Sequence, residues 1–135
     1  MEAATAFFDR TYDETFDLLI EARDYIARGQ QVDCQYVTVG GQARMAVETS
    51  RLTSRLTHVM AWLLARRAVH AGEITPAEAA RPPYTLERSE RLAGDDDPLG
   101  EVLPPALESL MERSQRLYVR VSRLDELVRR DHADT

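Results

Sequence analysis

The stretch that decides the fold is QARMAVETSRLTSRLTHVMAWLLARRAVHA, residues 42–71. It contains no glycine or proline and consists largely of residues with a strong intrinsic preference for the helix. Its apolar side chains recur at intervals of three, four or seven residues, as the buried face of a packed helix requires. The members of this face are Met45, Leu52, Leu56, Val59 and Leu63. The sequence therefore predicts one long amphipathic helix.

The second half of this helix is apolar around its whole circumference. Residues 59–64, VMAWLL, point in almost every direction around the helix axis. A helix that is apolar on all sides must be covered on all sides. We therefore expect this segment to lie at the centre of the molecule. The other long helices cannot cover it alone, so either the segment around residues 74–81 or a second copy of the chain must lie against it.

Apolar periodicity predicts two further long helices, residues 5–28 and 104–130. The stripe of the first contains Phe8, Tyr12, Phe16, Leu19, Ala22 and Ile26. The coiled-coil-type seam of the last contains Leu107, Leu110, Ser114, Leu117, Val121, Leu124 and Val128. Ser114 is the one polar member of that seam, and we expect it to bond back to a carbonyl one turn earlier. Truncation of Leu63 or Leu117 to alanine should destabilise the fold by roughly 2–5 kcal/mol.

The start of the first helix is open between two interpretations. Thr11-x-x-Glu14 has the form of a capping box, which would start the helix late. The aromatic stripe that runs back to Phe7 and Phe8 favours the earlier start. Gly29 is a plausible end. Residues 30–41 then form a connector, in which the alternation over residues 37–39 indicates extended backbone and Gly40-Gly41 precedes the central helix.

A short helix and a long linker separate the central helix from the last one. Thr75-Pro76-Ala77-Glu78 combines an N-cap, a proline at the first helical position and a reciprocal acidic residue, so we expect a helix over residues 75–81. Pro82-Pro83 ends it. We interpret residues 82–103 as a solvated linker that Tyr84, Leu86 and Leu92 attach to the bundle. The alternative is an acidic docking segment around residues 95–97.

These elements predict an all-α fold in one domain, residues 1–135. The simplest arrangement is an antiparallel three-helix bundle with an extra short helix and a long irregular linker between helices two and three.

Cys34, the single cysteine, excludes an internal disulfide and fits a reducing compartment. We interpret it as an inert loop thiol. No apolar run reaches the ~20 residues of a membrane-spanning helix, and we recognise no signal peptide, so we expect a cytoplasmic protein.

The residues give little support to catalysis. Nucleophilic catalysis needs a serine, cysteine or lysine beside an oriented base, yet the chain has no lysine and no nucleophile-elbow motif. The histidines at positions 58, 70 and 132 lack the spacing of a helical metal site, and no glycine-rich phosphate loop is present. We therefore expect no enzyme, no catalytic residue, no cofactor and no metal.

Charge is distributed unevenly along the chain. The formal net charge is −6, and all 17 basic residues are arginine. Residues 42–71 contain five arginines and one acid, so a basic central helix lies between acidic flanks. Non-specific nucleic-acid binders usually show a basic overall balance. We therefore expect no nucleic-acid partner.

The central helix carries a second stripe beside its apolar face. The arginine, histidine and tryptophan residues of this stripe are Arg51, Arg55, His58, Trp62 and Arg66. Arginine and tryptophan are the side chains that most often anchor protein interfaces, so this stripe is the candidate partner-binding surface. The alternative is that Trp62 belongs to the core and the arginines pair with acids of the first helix, namely Asp13, Asp17, Glu21 and Asp24.

A second candidate surface lies at the start of the first helix. Phe7 and Phe8 are adjacent, so both cannot face the same core. One of the two rings is therefore surplus apolar surface, as is part of the apolar circumference of residues 59–64. This surplus apolar surface predicts a two-fold homodimer with Phe7, Phe8 and Tyr12 at the contact. Phe7→Glu should weaken the dimer, whereas Leu117→Glu should unfold the chain.

The helix motifs resemble a known family, the RcdA-like regulators of CtrA degradation of alphaproteobacteria. The resemblance covers nearly the whole chain except residues 30–41 and 82–100. It rests on Phe8-Asp9-Arg10-x-Tyr12-Asp13-Glu14, Glu21-Ala22-Arg23-x-Tyr25, Arg51-Leu52-Thr53-x-Arg55-Leu56, Trp62-Leu63-Leu64-x-x-Arg67-Ala68-Val69-x-x-Gly72-Glu73, Leu103-Pro104 and Ser114-x-x-Leu117-Tyr118.

The resemblance implies a non-enzymatic, dimeric adaptor for the ClpXP protease, concentrated at the cell pole. Such adaptors bind a response regulator that primes the protease on one side and degradation cargo on the other, and they promote timed destruction of cell-cycle regulators. Family members can carry a disordered C-terminal tail, whereas about five residues follow the predicted last helix here. The resemblance assigns no partner-binding residue.

Two other functions remain open from the sequence. A DNA-associated helical regulator could use the arginine face of the central helix on phosphates, although the negative net charge and the lack of a recognisable helix-turn-helix count against it. A purely structural dimer would differ from an adaptor by retaining no protease component in a pull-down.

Overall fold

The computed structural model describes residues 2–81, 86 and 102–133, with side chains over residues 7–81, 86 and 102–131. Helix α1 spans Glu2–Asp24 and runs through a π-helical turn, Tyr25–Gly29, into α2, Gln30–Cys34. Helices α3, α4 and α5 span Val39–His70, Pro76–Ala79 and Pro105–Ala133. No strand occurs in these described ranges. The predicted all-α fold is confirmed.

Helix α1 starts early and does not end at Gly29. Because the helix begins at Glu2, the Thr11-x-x-Glu14 capping box lies inside it, and the Thr15 hydroxyl donates to the Thr11 carbonyl at 2.7 Å. A glycine is needed at position 29 because the Tyr25 ring packs against it. A Cβ at this position would lie 2.8 Å from Cδ2 of that ring. Burial, followed by the hydrogen bond to Asp33 Oδ2 at 2.9 Å, raises the pKa of Tyr25.

Helix α3 begins at residue 39, three residues before the predicted start. Thr38 is its N-cap, and the Thr38 Oγ1 accepts a hydrogen bond from the Gly41 N–H at 2.9 Å. The expected extended backbone over residues 37–39 holds at Thr38, whose ψ is 168°, but not at Val39, which already belongs to the helix. Gly41 is buried, and a Cβ there would lie 3.1 Å from the Val37 Cβ, so the capped turn packs closely against the helix.

Helix α1 is antiparallel to both other long helices. The start of α1 meets the end of α3, where the Phe8 ring lies 5.9 Å from Trp62 and 5.6 Å from His70 between centroids. Toward α5, Glu14 pairs with Arg120 and Glu21 pairs with Arg113, so the residue numbers run in opposite directions. This part of the predicted antiparallel arrangement is confirmed.

Helices α3 and α5 run in the same direction. Arg55 contacts Ser114 near the start of α5, and Trp62, two turns further along α3, contacts Asp125 further along α5. The three-helix bundle thus has two parallel helices and one antiparallel helix, which differs from the fully antiparallel order that we predicted. The end of α3 and the start of α5 therefore lie toward opposite ends of the bundle, whose α3 is about 48 Å long at 1.5 Å per residue.

The connection between α3 and α5 begins at a left-handed glycine. Gly72 has φ +76°, a conformation that other residues rarely adopt, and Glu73 N–H donates to the Ala68 carbonyl at 2.9 Å to close the helix. Thr75 then caps α4 as predicted, since its Oγ1 accepts from the Glu78 N–H at 3.1 Å and donates to Glu78 Oε1 at 3.2 Å. Helix α4 ends at Ala79, two residues before the predicted end.

One linker side chain reaches the core. Leu86 is 2% exposed and packs in the same cluster as the seam leucines, as predicted. The predicted anchors Tyr84 and Leu92 and the acidic residues 95–97 lie outside the described residues. Ala79 of α4 is also buried. The connection therefore supplies part of the cover that the centre of α3 requires.

The core lies between the three long helices, with the centre of α3 in the middle. Its fully buried side chains include Met45, Leu52, Leu56, Val59, Trp62, Leu63, Leu107, Leu110, Leu117 and Val121. The predicted seams of α3 and α5 are thus confirmed. Ser114 is also fully buried, and its Oγ donates to the Met111 carbonyl at 3.0 Å, as the sequence predicts.

A surface ion pair between α1 and α5 has a testable pH dependence. The Arg113 guanidinium donates to the two oxygens of Glu21 at 2.7 and 2.5 Å and lowers the pKa of that carboxyl. A lowered folded-state pKa stabilises the fold above the unfolded-state pKa, and this stabilisation is lost as the pH falls through the folded-state pKa. Both side chains are substantially exposed, so Glu21→Gln should cost less than about 1 kcal/mol at neutral pH.

Chemical denaturation of wild type and Glu21→Gln at neutral and acidic pH measures this contribution. The difference between the two proteins should disappear in acid, while Glu112→Gln, a change at an exposed α5 position, should show no such trend. If Glu21→Gln still had a lower free energy of unfolding than wild type at low pH, the ion pair would not act through charge.

Candidate functional site

Arg55 is buried inside the bundle instead of lying on a surface stripe. It is 1% exposed, and its Nη1 donates to the Ser114 Oγ at 2.7 Å and to the Met111 carbonyl at 3.1 Å. Since Ser114 itself donates to the same carbonyl, the three groups form a closed polar cluster between α3 and α5. Arg55 therefore connects two parallel helices and is not available on the protomer surface.

Trp62 also belongs to the core. Its indole is 2% exposed, its Nε1 donates to Asp125 Oδ1 at 2.9 Å, and the Phe8 ring packs edge-on against it. The alternative in which Trp62 is a core residue is therefore the correct one. The hydrogen bonds of Arg55 to Ser114 and Met111 lead to α5 instead of α1, and the α1 acid Glu21 pairs with Arg113 of α5.

Arg66 lies one turn beyond Trp62 and is nearly enclosed. Its side chain is 8% exposed, and its guanidinium carbon lies 5.7 Å from the centre of the Trp62 ring. Burial lowers the pKa of Arg66, and the nearby Asp125 carboxylate opposes that change. The Nε atom is buried and has no hydrogen-bond partner in the part of the chain that the structure describes. An enclosed guanidinium with an unmet donor is unusual and needs an explanation.

The other two members of the predicted stripe are half-buried. Arg51 pairs with Glu48 at 3.0 Å on α3 itself, and His58 Nδ1 lies 2.7 Å from the Ser54 carbonyl. Because three of the five residues are buried and two are bound along their own helix, the stripe does not form one continuous exposed surface. The same burial removes Arg55 and Arg66 from any arginine face that could contact phosphates.

The predicted dimer residues lie in different environments. Phe8 is buried within the protomer, while Phe7 and Tyr12 are half-buried. Tyr12 stacks on Phe16 at 6.2 Å between centroids, and Arg67 of α3 lies over the Tyr12 ring at 4.6 Å. Burial of Phe8 means that a second copy cannot contact it without repacking the core.

An exposed apolar surface adjoins these residues. Phe16 is 47% exposed and Leu64 is 49% exposed. Because α1 and α3 are antiparallel and Tyr12 meets Arg67, one turn along each helix places Phe16 opposite Leu64. We call Tyr12, Phe16 and Leu64 the side face. The sequence placed Phe16 in the buried stripe, so the pointers to this surface were Tyr12 as a predicted dimer contact and the all-round apolar pattern of residues 59–64.

A second exposed apolar surface lies at the opposite end of α3. Tyr36, Val39 and Val102 are 82%, 83% and 79% exposed. Tyr36 and Val102 line an open groove of about 480 Å³ whose other walls include residues 103–105. We call these three side chains the end patch. Sequence reasoning missed it, because the start of α5 comes close to the start of α3 only when the two helices are parallel.

Metal and membrane sites receive no support from the described residues. Within residues 2–81, 86 and 102–133, no three histidine, cysteine or acidic side chains are grouped to hold a metal ion. None of the helices described there is both long enough and apolar enough to span a bilayer. Cys34 is a half-buried free thiol at the end of α2.

Comparison with known proteins places the chain in a family. The model of the family described as "Protein of unknown function (DUF1465)" matches residues 1–135. The chain belongs to the DUF1465 family. The crystal structure of RcdA from Caulobacter crescentus CB15 matches this family member with a TM-score of 0.74 and 35% sequence identity. The match covers 90% of this chain and 89% of RcdA. No curated protein matches the chain.

These matches confirm the resemblance that the helix motifs indicated: this DUF1465 protein is RcdA-like. The agreement in structure extends over nearly the whole of both chains, so it includes the bundle and not merely a pair of helices.

Proposed function

We propose that this RcdA-like protein is a non-enzymatic adaptor that binds other proteins and promotes their degradation by ClpXP. The observation that carries the proposal is the match to RcdA at 35% identity over 90% of the chain. The partners are then ClpXP components, a response regulator that primes the protease, and cargo drawn from cell-cycle regulators. The site of action is the cytoplasm, with concentration at the cell pole.

The surface of the protomer supports a role in which the chain pairs with a second copy and still holds a partner protein. The end patch is at the first turn of α3, whereas the side face lies near its other end. Val39 and Leu64 are 25 residues apart on one helix, which corresponds to about 38 Å along its axis. Exposed apolar surfaces of this kind mark protein interaction sites. At this separation the end patch stays accessible to a partner protein while the side face contacts a second copy.

Reconstituted proteolysis tests the proposal directly. ClpXP, a primer response regulator and a cell-cycle cargo protein are incubated with and without this protein, and cargo loss is followed over time. We expect cargo degradation to accelerate when the protein and the primer are both present. The alternative of a purely structural dimer predicts no change in rate and no retention of protease components in a pull-down.

The side face is our candidate for the homodimer contact. Phe16→Glu or Leu64→Glu would place a charge in an apolar contact and should shift the dimer toward monomer, because charged groups are depleted from the centres of such interfaces. Phe7→Glu tests the neighbouring residue that the sequence indicated. Sedimentation equilibrium at micromolar concentration measures the mass.

A matched control separates dimer loss from unfolding. Val47 is 58% exposed on α3 but away from the side face, so Val47→Glu should leave the mass unchanged. Circular dichroism should show that all these variants remain folded. A wild-type monomer at these concentrations, or a dimer that tolerates both Phe16→Glu and Leu64→Glu, would refute this contact.

A further inference from the structure

A small cavity lies where the ends of α3 and α5 meet α4. Its volume is about 120 Å³. Ala79 and Val128 provide apolar wall, and Arg66, Asp125 and Arg129 provide the charged groups. A space of this volume holds one short side chain and is too small for a nucleotide. The cavity is separate from the side face and from the end patch.

Arg66 is the unexplained residue of this cavity. Its side chain is more than nine-tenths buried, and its Nε has no hydrogen-bond acceptor among the described residues. Leaving a buried donor unpaired costs free energy, more so when the group is charged. Its one aromatic contact, with the Trp62 ring, satisfies none of its N–H groups. A group that destabilises the isolated protomer in this way is expected where function requires it.

The neighbouring Asp125 carboxylate does not supply a hydrogen-bond acceptor for Arg66 Nε. Asp125 Oδ1 accepts from the Trp62 indole at 2.9 Å, and Asp125 Oδ2 pairs with Arg129 Nε at 2.9 Å. Both oxygens therefore have other partners, and Asp125 acts on Arg66 through charge alone. Among the described residues that line the cavity, two guanidinium groups and one carboxylate give a net positive charge. Arg129, whose side chain is 53% exposed, stands at its rim.

We propose that this cavity binds the side-chain carboxylate of an acidic residue that a partner protein presents. The carboxylate would pair with the Arg66 guanidinium, because planar guanidinium and carboxylate groups form strong, charge-assisted hydrogen bonds. Ala79 and Val128 would contact the methylene groups. The inference deepens the proposed adaptor function, on which its choice of a protein partner rests, by naming one chemical feature of that partner.

The single tryptophan makes the site directly observable. Trp62 is the only tryptophan of the chain, and it touches both Arg66 and Asp125, so its indole N–H resonance reports on the cavity. The titrants are a short capped peptide with a central glutamate, the same peptide with glutamine, and sodium acetate. We expect a saturable shift of the indole resonance with the glutamate peptide and none with the glutamine peptide.

Substitutions then assign the effect to Arg66. Arg66→Met keeps a long side chain without the charge and should weaken binding of the glutamate peptide by at least roughly tenfold. Arg129→Gln at the rim should weaken it less. Arg123→Met, at an exposed α5 position, should bind as wild type does. The Tm of Arg66→Met should equal or exceed that of wild type, because the lost guanidinium had an unpaired donor.

Four results would overturn the assignment. These are no saturable shift with the glutamate peptide, equal binding by Arg66→Met, a marked fall in the Tm of Arg66→Met, and acetate binding as strongly as the peptide, which would indicate an adventitious ion only. The titration contains no protease. It can therefore fail while adaptor-dependent cargo degradation is still observed, and it can succeed while that degradation is not.

Discussion

Replacement of Asp125 by alanine should lower the free energy of unfolding by about 3–5 kcal/mol. Asp125 is 4% exposed and accepts a hydrogen bond from the Trp62 indole. It is also the carboxylate that acts on the buried Arg66 guanidinium. Its removal would leave an unpaired indole N–H and an uncompensated buried charge in the same place. A domain of this size has only about 5–15 kcal/mol of stability, so the effect should be large.

Urea denaturation of related single and double variants separates the contributions. Asp125→Asn keeps an acceptor for the indole but not the charge, and it should fall between wild type and Asp125→Ala. In an Arg66→Met background, the loss caused by Asp125→Ala should shrink because the buried cation is gone. Asp13→Ala, an exposed aspartate of α1, should change stability by no more than about 0.5 kcal/mol. Equal losses for Asp125→Ala in both backgrounds would show that the Arg66 charge is irrelevant.

Leu117→Ala should cost about 2–5 kcal/mol. Leu117 is 0% exposed in the α5 seam and packs in the same cluster as Leu56 and Leu63 of α3. Truncation removes apolar contacts and leaves a cavity that the surrounding helices can fill only in part. Thermal and urea denaturation measure the loss, and the urea midpoint should fall without a large change in slope.

The same helix offers a matched control for this truncation. Leu127 is 54% exposed, so Leu127→Ala makes the same chemical change with little loss of burial and should cost no more than about 0.5 kcal/mol. Leu117→Glu should go further and prevent folding, since it places a charge at a fully buried position. If Leu117→Ala and Leu127→Ala were equally stable, the seam of α5 would not be part of the core.

Helix boundaries show where local signals are sufficient and where they are not. The Thr75 cap and the proline that follows it identify the start of α4 from four residues, because every partner lies within one turn. Gly29 looked like a helix end by the same local rules. The ring of Tyr25 packs over it, and Tyr25 is held by its own burial and by Asp33. The Tyr25–Asp33 contact spans eight residues, about two helical turns, so a rule based on glycine alone could not find it.

Some features of the candidate surfaces could also be predicted from the sequence, and others could not. Apolar spacing correctly predicted the buried seams of α3 and α5, and the apolar circumference of residues 59–64 correctly indicated a need for extra cover. It could not show that Leu86 and Ala79 provide part of that cover while Leu64 remains exposed. Nor could the periodicity of α1 show that Phe16 is exposed whereas Phe8, two turns earlier on the same stripe, is buried.

The sequence by itself determined the three long helices, the buried seams of α3 and α5, and the RcdA-like character of the chain. These properties depend on the spacing of apolar side chains and on short motifs, both of which are local. The direction of α5 was decided only in the tertiary structure. A helical seam packs on a parallel or an antiparallel neighbour with the same periodicity, and a long connection permits either choice.

The burial of Arg55 and Arg66 follows from the direction of α5. Because α5 runs parallel to α3, Ser114 and the Met111 carbonyl lie beside Arg55, and Asp125 lies beside Trp62 and Arg66. An antiparallel α5 would have brought different side chains to each of these positions. An arginine is exposed or buried according to which acceptors a neighbouring helix brings to it, and those acceptors are more than fifty residues away in the chain.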